Sequence, residues 1–504
     1  MTTRTTLTIE HRIAGRETSG NSDRTAPVYD PATGEHCWDV VLGNEQDAAD
    51  AVSAAQTAFE SWADVSQTGR ARIMFRFREL LDAHAEELAR VISSQHGKVL
   101  ADARGEVARG LEVVEFACGI GELLKGDYSD QVASAVDAYS FREPLGVCVG
   151  ITPFNFPVMV PMWMHPIAIA AGNAFVLKPS ERDPSVSNLV ADLYASAGLP
   201  AGVFNVLHGD KAVVDALIDA PAVRAVSFVG STPVAKYVFS RATDRAKRVQ
   251  ALGGAKNHAV VMPDADIEFA ARHLSAAAYG SAGQRCMAIS VAVAVGDIGD
   301  GLVAKLAQQA REVRVGAGLD PSSEMGPLIT AEARARVEAY VATGVDSGAT
   351  AVVDGRRLEM EGDGFWIGPT LFDHVTTDLA IYTDEIFGPV LCVVRVPTPE
   401  EAVDLINRNP YANGCAVFTS SGGTARWFQR AADVGMVGIN VPIPVPMAFH
   451  SFGGRRDSLF GDHHAHGPEG VRFYTRNKAI TSRWPAPGAS DDDHGARLSF
   501  PTST

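Results

Sequence analysis

Between Gly146 and Leu252 the sequence alternates short apolar runs with stretches of helical composition. One helix is predicted to begin at Ser185, whose hydroxyl would cap it, and to end before the stop signal Gly198-Leu199-Pro200. Short strands separated by helices of ~10–15 residues predict an α/β fold built on a parallel, doubly wound sheet. Such sheets bind nucleotides at the carboxyl ends of their strands. The predicted strands are Val147–Ile151, Ala174–Leu177, Val203–Leu207, Ala225–Val229 and Val249–Leu252.

The rest of the chain differs in composition from this block. Residues 45–126 are of helical composition, and residues 127–145 are extended and polar, which predicts a hairpin that projects from the main body. Residues 258–450 form a second block of strands and helices. The tail after Trp484 is rich in Pro, Ser and Asp and is predicted to be disordered. The 504 residues suffice for two or three domains.

Composition excludes several classes of protein. No apolar run approaches ~18 residues, so we expect no membrane span, and the N-terminus lacks the apolar stretch of a secretory signal. The net charge of -16 argues against a nucleic-acid partner. Six cysteines in so long a chain do not predict a disulfide framework, and Cys148, Cys392 and Cys415 lie in apolar runs typical of a core. We therefore predict a cytoplasmic protein, and we predict no metal site.

One cysteine stands apart because it lies in a glycine-rich stretch after a predicted helix. The stretch reads Tyr279-Gly280-Ser281-Ala282-Gly283-Gln284-Arg285-Cys286-Met287-Ala288. Gly280 and Gly283 would let the backbone turn and approach a ligand closely. Arg285 could lower the pKa of the Cys286 thiol, which makes a thiolate nucleophile possible. The alternative is a buried structural cysteine that packs as a small apolar side chain.

A nucleotide site has a weaker signal. No Gly-x-Gly-x-x-Gly fingerprint follows any of the predicted strands. Phe228-Val229-Gly230-Ser231-Thr232 offers a substitute, because it is a strand followed by a glycine and two hydroxyls that open a helix. The same pattern is also typical of an ordinary capped helix.

Six short blocks together resemble the aldehyde dehydrogenase superfamily. They occur in the order and rough spacing of that superfamily and span nearly the whole chain. Tyr279 stands where its nucleophile motif usually has Phe. The blocks are Pro153-Phe154-Asn155-Phe156-Pro157, Leu177-Lys178-Pro179-Ser180-Glu181, Phe228-Val229-Gly230-Ser231-Thr232, Leu252-Gly253-Gly254, the Tyr279–Ala288 stretch and Glu385-Ile386-Phe387-Gly388-Pro389.

The resemblance implies a fold and its division into domains. An aldehyde dehydrogenase-like α/β fold combines a Rossmann-type NAD-binding domain, an α/β catalytic domain and a small β arm for oligomerisation. On this sequence the NAD-binding domain would comprise residues 6–126 and 146–252, and the catalytic domain residues 253–455. The arm would comprise residues 127–145 and 468–484, leaving 485–504 as a disordered tail. The arm implies a homo-oligomer, either a dimer or a tetramer.

The resemblance also implies roles for single residues. Cys286 would attack the aldehyde, and the amide of Asn155 would hold the developing oxyanion. Lys178 and Glu181 match positions that bind the adenosine ribose, and Ser231 matches a phosphate contact. The carboxylate of Glu181 would favour NAD over NADP, although Lys178 weakens that preference. At the nicotinamide end, the matching residues are Phe154, Glu385 and Phe387.

One departure from the superfamily pattern bears on the reaction. Hydrolytic members carry a glutamate in Glu-Leu-Gly-Gly that activates water, whereas this chain has Ala251-Leu252-Gly253-Gly254. A second glutamate of hydrolytic members is also missing from Phe460-Gly461-Asp462-His463-His464. Loss of a general base typically costs ~10²–10⁴ in rate. We therefore expect an acyl enzyme that hydrolyses slowly and passes its acyl group to a thiol, namely coenzyme A.

Three further blocks resemble the CoA-acylating branch of methylmalonate-semialdehyde dehydrogenases. They are Gly254-Ala255-Lys256-Asn257-His258, Gly283–Ala288 and the proline-rich block Asn440–Phe449. The branch oxidises and decarboxylates malonate semialdehyde or its methyl derivative to acetyl-CoA or propionyl-CoA. Two arginines, at positions matching Arg109 and Arg285, hold the substrate carboxylate there. His258 is interpreted as a core histidine, with a role in tuning Cys286 or CoA as the alternative.

Two other functions stay open on the sequence alone. A hydrolytic dehydrogenase with an unidentified base would release free acid without CoA. A catalytically silent cofactor-binding scaffold is disfavoured, because Cys286, Asn155 and Glu385 are all present.

Overall fold

A computed structural model describes residues 7–484. The predicted alternation of strands and helices forms the centre of an eight-stranded sheet, in which five neighbouring strands run parallel. All five strands predicted from the sequence are confirmed to within two residues. In sheet order the strands are Leu459–Phe460, Arg248–Leu252, Val223–Val229, Val147–Ile151, Ala174–Lys178, Phe204–Val206, His11–Ile13 and Arg16–Thr18.

A second, seven-stranded sheet is built from the C-terminal half of the chain. It is parallel except at the edge formed by its first two strands, which are antiparallel. In sheet order its strands are Thr350–Val353, Thr370–Asp373, Val390–Val396, Ile289–Val295, Asn257–Val261, Gly414–Phe418 and Met436–Ile439. We propose that the eight-stranded and seven-stranded sheets are the centres of the predicted cofactor-binding and catalytic domains.

Two three-stranded sheets complete the β-structure. The predicted hairpin is formed by Tyr128–Ala133 and Val136–Pro144, and Thr475–Arg483 pairs with the latter strand along nine residues. This last strand begins at Thr475, because Gly467–Phe473, at the start of the predicted arm segment 468–484, is a helix. The other small sheet joins Leu7–Ile9, Glu35–Val41 and Thr25–Asp30. The predicted disordered tail, 485–504, and residue 6 of the predicted cofactor-binding domain lie outside the described residues.

Helices cover the faces of the two large sheets. The helix predicted from Ser185 is confirmed as Ser185–Ser196, but the prediction of Ser185 as its cap was wrong. Pro184 precedes the helix, and the side chain of Gln95 instead accepts a bond from the Ser185 backbone N–H at 3.1 Å. The α-helices are Glu45–Trp62, Gln67–Ala83, Ala85–His96, Leu100–Cys118, Ile120–Leu123, Met159–Met162, His165–Ala170, Ser185–Ser196, Lys211–Asp219, Thr232–Thr243, Ile267–Tyr279, Gly299–Glu312, Ala331–Asp346, Ala380–Thr383, Pro399–Arg408, Gly422–Ala431 and Gly467–Phe473. Short 3₁₀ turns occur at Gly280–Gly283 and Gly355–Arg357. Among residues 7–484, no helix combines the length and apolar character that crossing a bilayer requires.

The apolar cores meet where the chain passes from one sheet to the other. Tyr279 and Ala282 belong to the core around the seven-stranded sheet. Met287 belongs to a core on one face of the eight-stranded sheet, and Cys286 packs against it. The predicted nucleophile therefore lies at the junction of two cores, beside the Leu252–Asn257 connection between the sheets.

Candidate active site

The turn that carries Cys286 has an unusual backbone. The helix Ile267–Tyr279 is capped by Asp266, whose side chain accepts from the backbone N–H of Phe269 at 3.0 Å. Ser281, Ala282 and Gly283 then follow with φ of 52°, 50° and 70°, in the left-handed region. Non-glycine residues persist there only when the surroundings hold them. Any Cβ at Gly283 would clash with the Gly388 carbonyl, so the close approach that sequence assigned to a ligand is made by protein backbone.

Two asparagines hold the backbone of the nucleophile. The side-chain nitrogen of Asn257 donates to the carbonyl oxygens of Cys286 at 2.9 Å and Ala288 at 3.0 Å. The side-chain nitrogen of Asn413 lies 3.4 Å from the same Cys286 oxygen. Asn257 also accepts from the backbone N–H of Gly414 at 3.2 Å, which ties the turn to the neighbouring strand. Sequence analysis assigned neither asparagine a role, because residues so far apart in the chain give no local signal.

Arg285 lowers the pKa of the Cys286 thiol as predicted, but burial outweighs its effect. Burial raises the pKa of the Cys286 thiol to about 12, and the neighbouring Glu385 carboxylate adds to the rise. Backbone N–H groups and Arg285 act in the opposite direction, with Arg285 the weakest of them. The guanidinium of Arg285 is already engaged, because its Nη2 donates to Oδ1 of Asp102 at 2.6 Å. The thiol is therefore protonated at neutral pH and must lose its proton before it can attack.

Asn155 is buried and lines a cavity of about 240 Å³ together with Cys286. Its carbonyl oxygen accepts from Nζ of Lys98 at 2.6 Å, and the same Nζ lies 2.7 Å from Oε2 of Glu106. Oε1 of Glu106 in turn accepts from the backbone N–H of Val158 at 2.7 Å. The Lys98 and Glu106 side chains are completely buried, so this hydrogen-bond network fixes the backbone around Asn155. Sequence analysis missed this ion pair, whose eight-residue spacing is not a helical neighbour spacing.

Glu385 lines the same cavity. Its Oε1 accepts from the backbone N–H of Ala255 at 3.0 Å, and its other oxygen packs against Gly254 so closely that a Cβ there would clash. Burial raises the pKa of Glu385 to about 7. The loop before it is held by Lys256, whose Nζ donates to the carbonyl oxygens of Ile381 at 2.8 Å and Asp384 at 2.6 Å.

His258 is a buried core histidine in the structure. Its ring nitrogens contact the carbonyl oxygen of Lys256 at 2.8 Å and the hydroxyl of Tyr382 at 3.0 Å. Burial lowers the pKa of His258 to about 4, so the ring is neutral at physiological pH. With both nitrogens engaged and no charge, His258 is not placed to tune the thiol.

The predicted cofactor residues line one continuous cleft. The 240 Å³ cavity adjoins a cleft of about 550 Å³, and both are lined by Pro153, Phe154, Val229, Gly230 and Ser231. The wide part contains Lys178 and Glu181, whose charged atoms lie 3.3 Å apart.

In the narrow part the rings of Phe154 and Phe387 lie edge to face with centroids 5.8 Å apart. Phe387 has φ of 56°, a conformation that turns this aromatic side chain out of the regular backbone path. Arg336 also lines the narrow part and was not predicted.

The cleft fits an extended dinucleotide. It runs from a polar end with Lys178 and Glu181, past Ser231 at the start of helix Thr232–Thr243, to an aromatic end beside Cys286. A helix N-terminus with an adjacent hydroxyl suits a phosphate. The sequence lacks the glycine fingerprint, but the lining of this cleft has the chemistry that a dinucleotide site requires.

The two predicted substrate arginines line a separate cavity of about 450 Å³. Nη1 of Arg109 contacts Oε2 of Glu112 at 2.8 Å and Sδ of Met447 at 3.0 Å. Its Nη2 donates to the carbonyl oxygens of Val445 at 3.0 Å and Pro446 at 2.9 Å. The structure therefore brings Arg109 and Arg285 together, but it also gives each an internal carboxylate partner. The proline-rich block predicted from sequence forms part of this cavity through Ile443 and Val445.

The surroundings of Cys286 contain few groups that could activate water. Ala251 is fully buried in an apolar cluster. His463, from the second stretch where a glutamate was expected, pairs with Glu469 at 2.9 Å. In the two cavities lined by Cys286 within residues 7–484, Glu385 is the one carboxylate. Among residues 7–484, no group of three or more His, Cys, Asp or Glu side chains is placed to hold a metal ion.

Comparison with known proteins agrees with this geometry. The profile of the "Aldehyde dehydrogenase family" matches residues 18–480. A curated malonate-semialdehyde dehydrogenase from Pseudomonas aeruginosa is 53% identical over 498 residues, covering 98% of this chain and 99% of the relative.

Solved structures give the same result. The crystal structure of methylmalonate-semialdehyde dehydrogenase from Oceanimonas doudoroffii matches with a TM-score of 0.94 and 52% identity, covering 95% of this chain and 99% of that one. A putative methylmalonate-semialdehyde dehydrogenase from Sinorhizobium meliloti 1021, solved in complex with NAD, matches with a TM-score of 0.94, 49% identity and the same two coverages. These matches confirm the resemblance and the fold class inferred from the six sequence blocks: the chain belongs to the aldehyde dehydrogenase family.

Proposed function

We propose that this chain is an NAD-dependent, CoA-acylating dehydrogenase that oxidises and decarboxylates malonate semialdehyde or methylmalonate semialdehyde. The proposal rests on one observation, which is that two cavities near Cys286 have different linings. One joins Cys286 and Asn155 to the dinucleotide cleft, and the other brings Arg109 and Arg285 together beside the nucleophile turn. The relatives from P. aeruginosa and O. doudoroffii are named for semialdehydes that carry a carboxylate, which supports the same substrate class.

The first half of the reaction would form and oxidise a covalent adduct. The Cys286 thiol loses its proton and its sulfur bonds to the aldehyde carbon, while the aldehyde oxygen becomes an oxyanion. Asn155 lines the cavity, and its amide would donate to that oxyanion. NAD, when bound, accepts the hydride that leaves the former aldehyde carbon. A thioester on Cys286 then remains.

The chain's own residues would hold the dinucleotide along the cleft. Lys178 and Glu181 suit the adenosine ribose, and Ser231 suits a phosphate at the N-terminus of its helix. Glu385 would accept hydrogen bonds from the nicotinamide ribose, with Phe154 and Phe387 beside the ring. The NAD complex of the S. meliloti relative supports NAD as the cofactor.

The second half of the reaction would release carbon dioxide and transfer the acyl group. The scissile C–C bond breaks, its electron pair forms an enolate that the oxyanion site stabilises, and protonation from solvent yields an acetyl or propionyl thioester. The CoA thiolate then attacks the carbonyl carbon, and Cys286 leaves. Water is the poorer nucleophile here because Ala251 supplies no base and Glu385 already bonds the Ala255 N–H.

The test is product analysis with malonate semialdehyde and NAD, with and without CoA. We expect continuous NADH formation, acetyl-CoA and carbon dioxide with CoA, and a single turnover followed by slow release without it. The difference in steady-state rate should be about 10²–10⁴-fold, the range of general-base loss. Cys286→Ala should form no NADH above background.

Each contrary result has a defined meaning. Equal turnover without CoA and release of malonate would support the hydrolytic alternative. In that case Glu385, the carboxylate nearest the thioester cavity, would become the candidate base. NADH formation that survived in Cys286→Ala would remove Cys286 as the nucleophile.

We also propose that the chain forms a homo-oligomer, a dimer or a tetramer, through its three-stranded arm. The arm exposes the aromatic side chains of Tyr128 and Phe141, and its outer strands have unpaired edges within the described residues. A cytoplasmic location is proposed because six cysteines in a chain of 504 residues do not make a disulfide framework. Light scattering of the purified protein tests the first proposal, and a monomer at micromolar concentration would contradict it.

A further inference from the structure

The partner of Arg285 is an incompletely satisfied carboxylate. Oδ1 of Asp102 accepts from Nη2 of Arg285 at 2.6 Å. Oδ2 of Asp102 is buried and has no hydrogen-bond partner within residues 7–484. A buried carboxylate oxygen without a donor is unfavourable, so this ion pair is less stable than its short distance suggests.

The guanidinium of Arg285 has unused donors in a fixed position. A Cβ at Gly280 would lie 2.5 Å from Nη1 of Arg285, so the glycine makes room for the guanidinium to lie flat on the turn. An arginine has five N–H donors, and in the described part of the chain the Asp102 contact is the one hydrogen bond of this side chain. Asp102 and Arg285 both line the 450 Å³ cavity and a second cleft of about 590 Å³, so the ion pair separates the two spaces.

Arg109, in contrast, has a guanidinium group that is held by several hydrogen bonds. Both of its terminal nitrogens are engaged, by Glu112, Met447 and two carbonyl oxygens of the proline-rich block. Its position is therefore fixed by several contacts, whereas Arg285 depends on one carboxylate. Of the two arginines, Arg285 is the one whose interaction with an incoming anion a single side chain can control.

We propose that Asp102 is a specificity-determining residue that limits how tightly Arg285 holds the substrate carboxylate, so that the carboxylate binds and is then released as carbon dioxide. This inference rests on the proposed function. Asp102 occupies one nitrogen of the guanidinium and places a negative charge next to the bound carboxylate. An arginine shared between two carboxylates binds each more weakly than it would bind one alone.

The chemistry explains why a weaker hold favours turnover. Before decarboxylation the negative charge of the acyl group lies on the carboxylate. As the C–C bond breaks, the electron pair moves into the enolate and carbon dioxide leaves uncharged. An arginine devoted entirely to the carboxylate would stabilise the state before this step and raise its barrier. Repulsion from Asp102 acts on the same state in the opposite direction.

The experiment compares the wild-type enzyme with Asp102→Asn, which removes the charge and keeps the size of the side chain. We expect the KM for malonate semialdehyde to fall by about 3- to 10-fold, the size of one charge-assisted contact. Carbon dioxide release from the acyl enzyme, followed after a single NADH-forming turnover, should slow by a similar factor. Kinetics with propanal, which lacks a carboxylate, should not change.

Glu324→Gln is the matched control. Glu324 lines the same 590 Å³ cleft and pairs with Arg314 at 3.1 Å, so the charge change is equal while Arg285 is not touched. We expect wild-type KM and carbon dioxide release in this variant. If Asp102→Asn does not fold, Asp102→Ala removes the same charge and should shift both quantities in the same direction.

The outcomes separate this inference from the proposed function. If the wild-type enzyme forms acetyl-CoA and carbon dioxide but Asp102→Asn has an unchanged or raised KM, Asp102 is a structural support for Arg285 and the inference is overturned. A shift of equal size in Glu324→Gln would show a general effect of charge and would also overturn it. If the wild-type enzyme releases malonate without carbon dioxide, the proposed function fails, and this inference fails with it.

Discussion

The cavity at Cys286 and the cavity at the two arginines differ in how their ionisable side chains are stabilised. Around Cys286 the charged lining groups are Glu385 and Arg336, and the attraction of Lys256 and Arg336 only partly offsets the burial of Glu385. Burial raises the pKa of Glu385 to about 7 and that of Cys286 to about 12. Desolvation therefore governs the chemistry on this side, because it favours the neutral forms of both groups.

The arginine cavity is governed by pairing. Its three cationic side chains, Lys98, Arg109 and Arg285, each lie within 2.8 Å of a carboxylate. An anionic substrate therefore enters a space that is nearly neutral overall and must share each arginine with an internal partner. We propose that the first cavity makes and breaks covalent bonds and that the second binds an anion reversibly.

The largest expected effect concerns the buried ion pair between Lys98 and Glu106, which supports both cavities. Lys98 and Glu106 line the arginine cavity, while Lys98 also holds the Asn155 carbonyl. Glu106→Gln leaves the Lys98 charge buried without its partner, which typically costs about 3–5 kcal/mol of the free energy of unfolding. Urea unfolding at fixed protein concentration measures the loss, and kcat should fall with it because Asn155 is no longer held.

Glu86→Gln provides the control for that prediction. Glu86 pairs with Arg104 at 2.7 Å, but both side chains are about half exposed. Solvent screens an exposed pair, so its loss should change the free energy of unfolding little. If the two variants lost equal stability, burial of the Lys98–Glu106 pair would not be what matters.

Much of this arrangement could be predicted from the sequence. The alternation of strands and helices identified five strands of the eight-stranded sheet, and the order of motifs identified Cys286 and the lining of the dinucleotide cleft. These features are encoded locally, in runs of a few residues that each form one strand end or one turn. Because these features are encoded locally, they can be recognised without knowledge of the tertiary structure.

The partners of the charged residues could not be predicted in the same way. Asp102 is 183 positions from Arg285, and Val445 is 336 positions from Arg109, so only the folded chain shows that they meet. The sequence suggested that Arg285 would activate the thiol because the two residues are adjacent. In the structure the guanidinium is directed to Asp102, and burial decides the pKa of Cys286.

A smaller effect, on the KM for malonate semialdehyde, is expected from Arg109 on the helix Leu100–Cys118. Arg109→Leu should raise the KM for malonate semialdehyde by about 10- to 100-fold, equivalent to about 1.5–3 kcal/mol for a hydrogen bond to a charged group. The KM for propanal should change little, because propanal has no carboxylate for Arg109 to hold. Initial rates with both aldehydes at saturating NAD and CoA give the comparison.

Arg104→Leu is the matched control for Arg109. It lies on the same helix, is exposed and pairs with Glu86 outside the cavity. Equal changes in KM for the two aldehydes in Arg109→Leu would mean that Arg109 supports the proline-rich block and does not contact the substrate carboxylate.

The smallest expected effect concerns pH and the desolvated carboxyl group of Glu385. Its pKa of about 7 means that the group carries a proton below that pH and is a carboxylate above it. Only the carboxylate accepts hydrogen bonds from both ribose hydroxyls, so the kcat/KM for NAD should decline as the pH falls below about 7. The loss should reach about 3- to 10-fold, the contribution of one hydrogen bond.

Glu385→Gln distinguishes this origin from other titrations. Glutamine has nearly the same shape as the carboxyl group but does not titrate. The kcat/KM of the variant for NAD should therefore be low and independent of pH between about pH 6 and about pH 8. Because kcat/KM reports ionisations of the free enzyme, the inflection belongs to the protein before NAD binds. An inflection near pH 7 that persisted in the variant would assign the titration to another group. The proposed contrast would then lose its desolvated carboxyl group on the cofactor side, while the pairing of the arginine cavity would be unaffected.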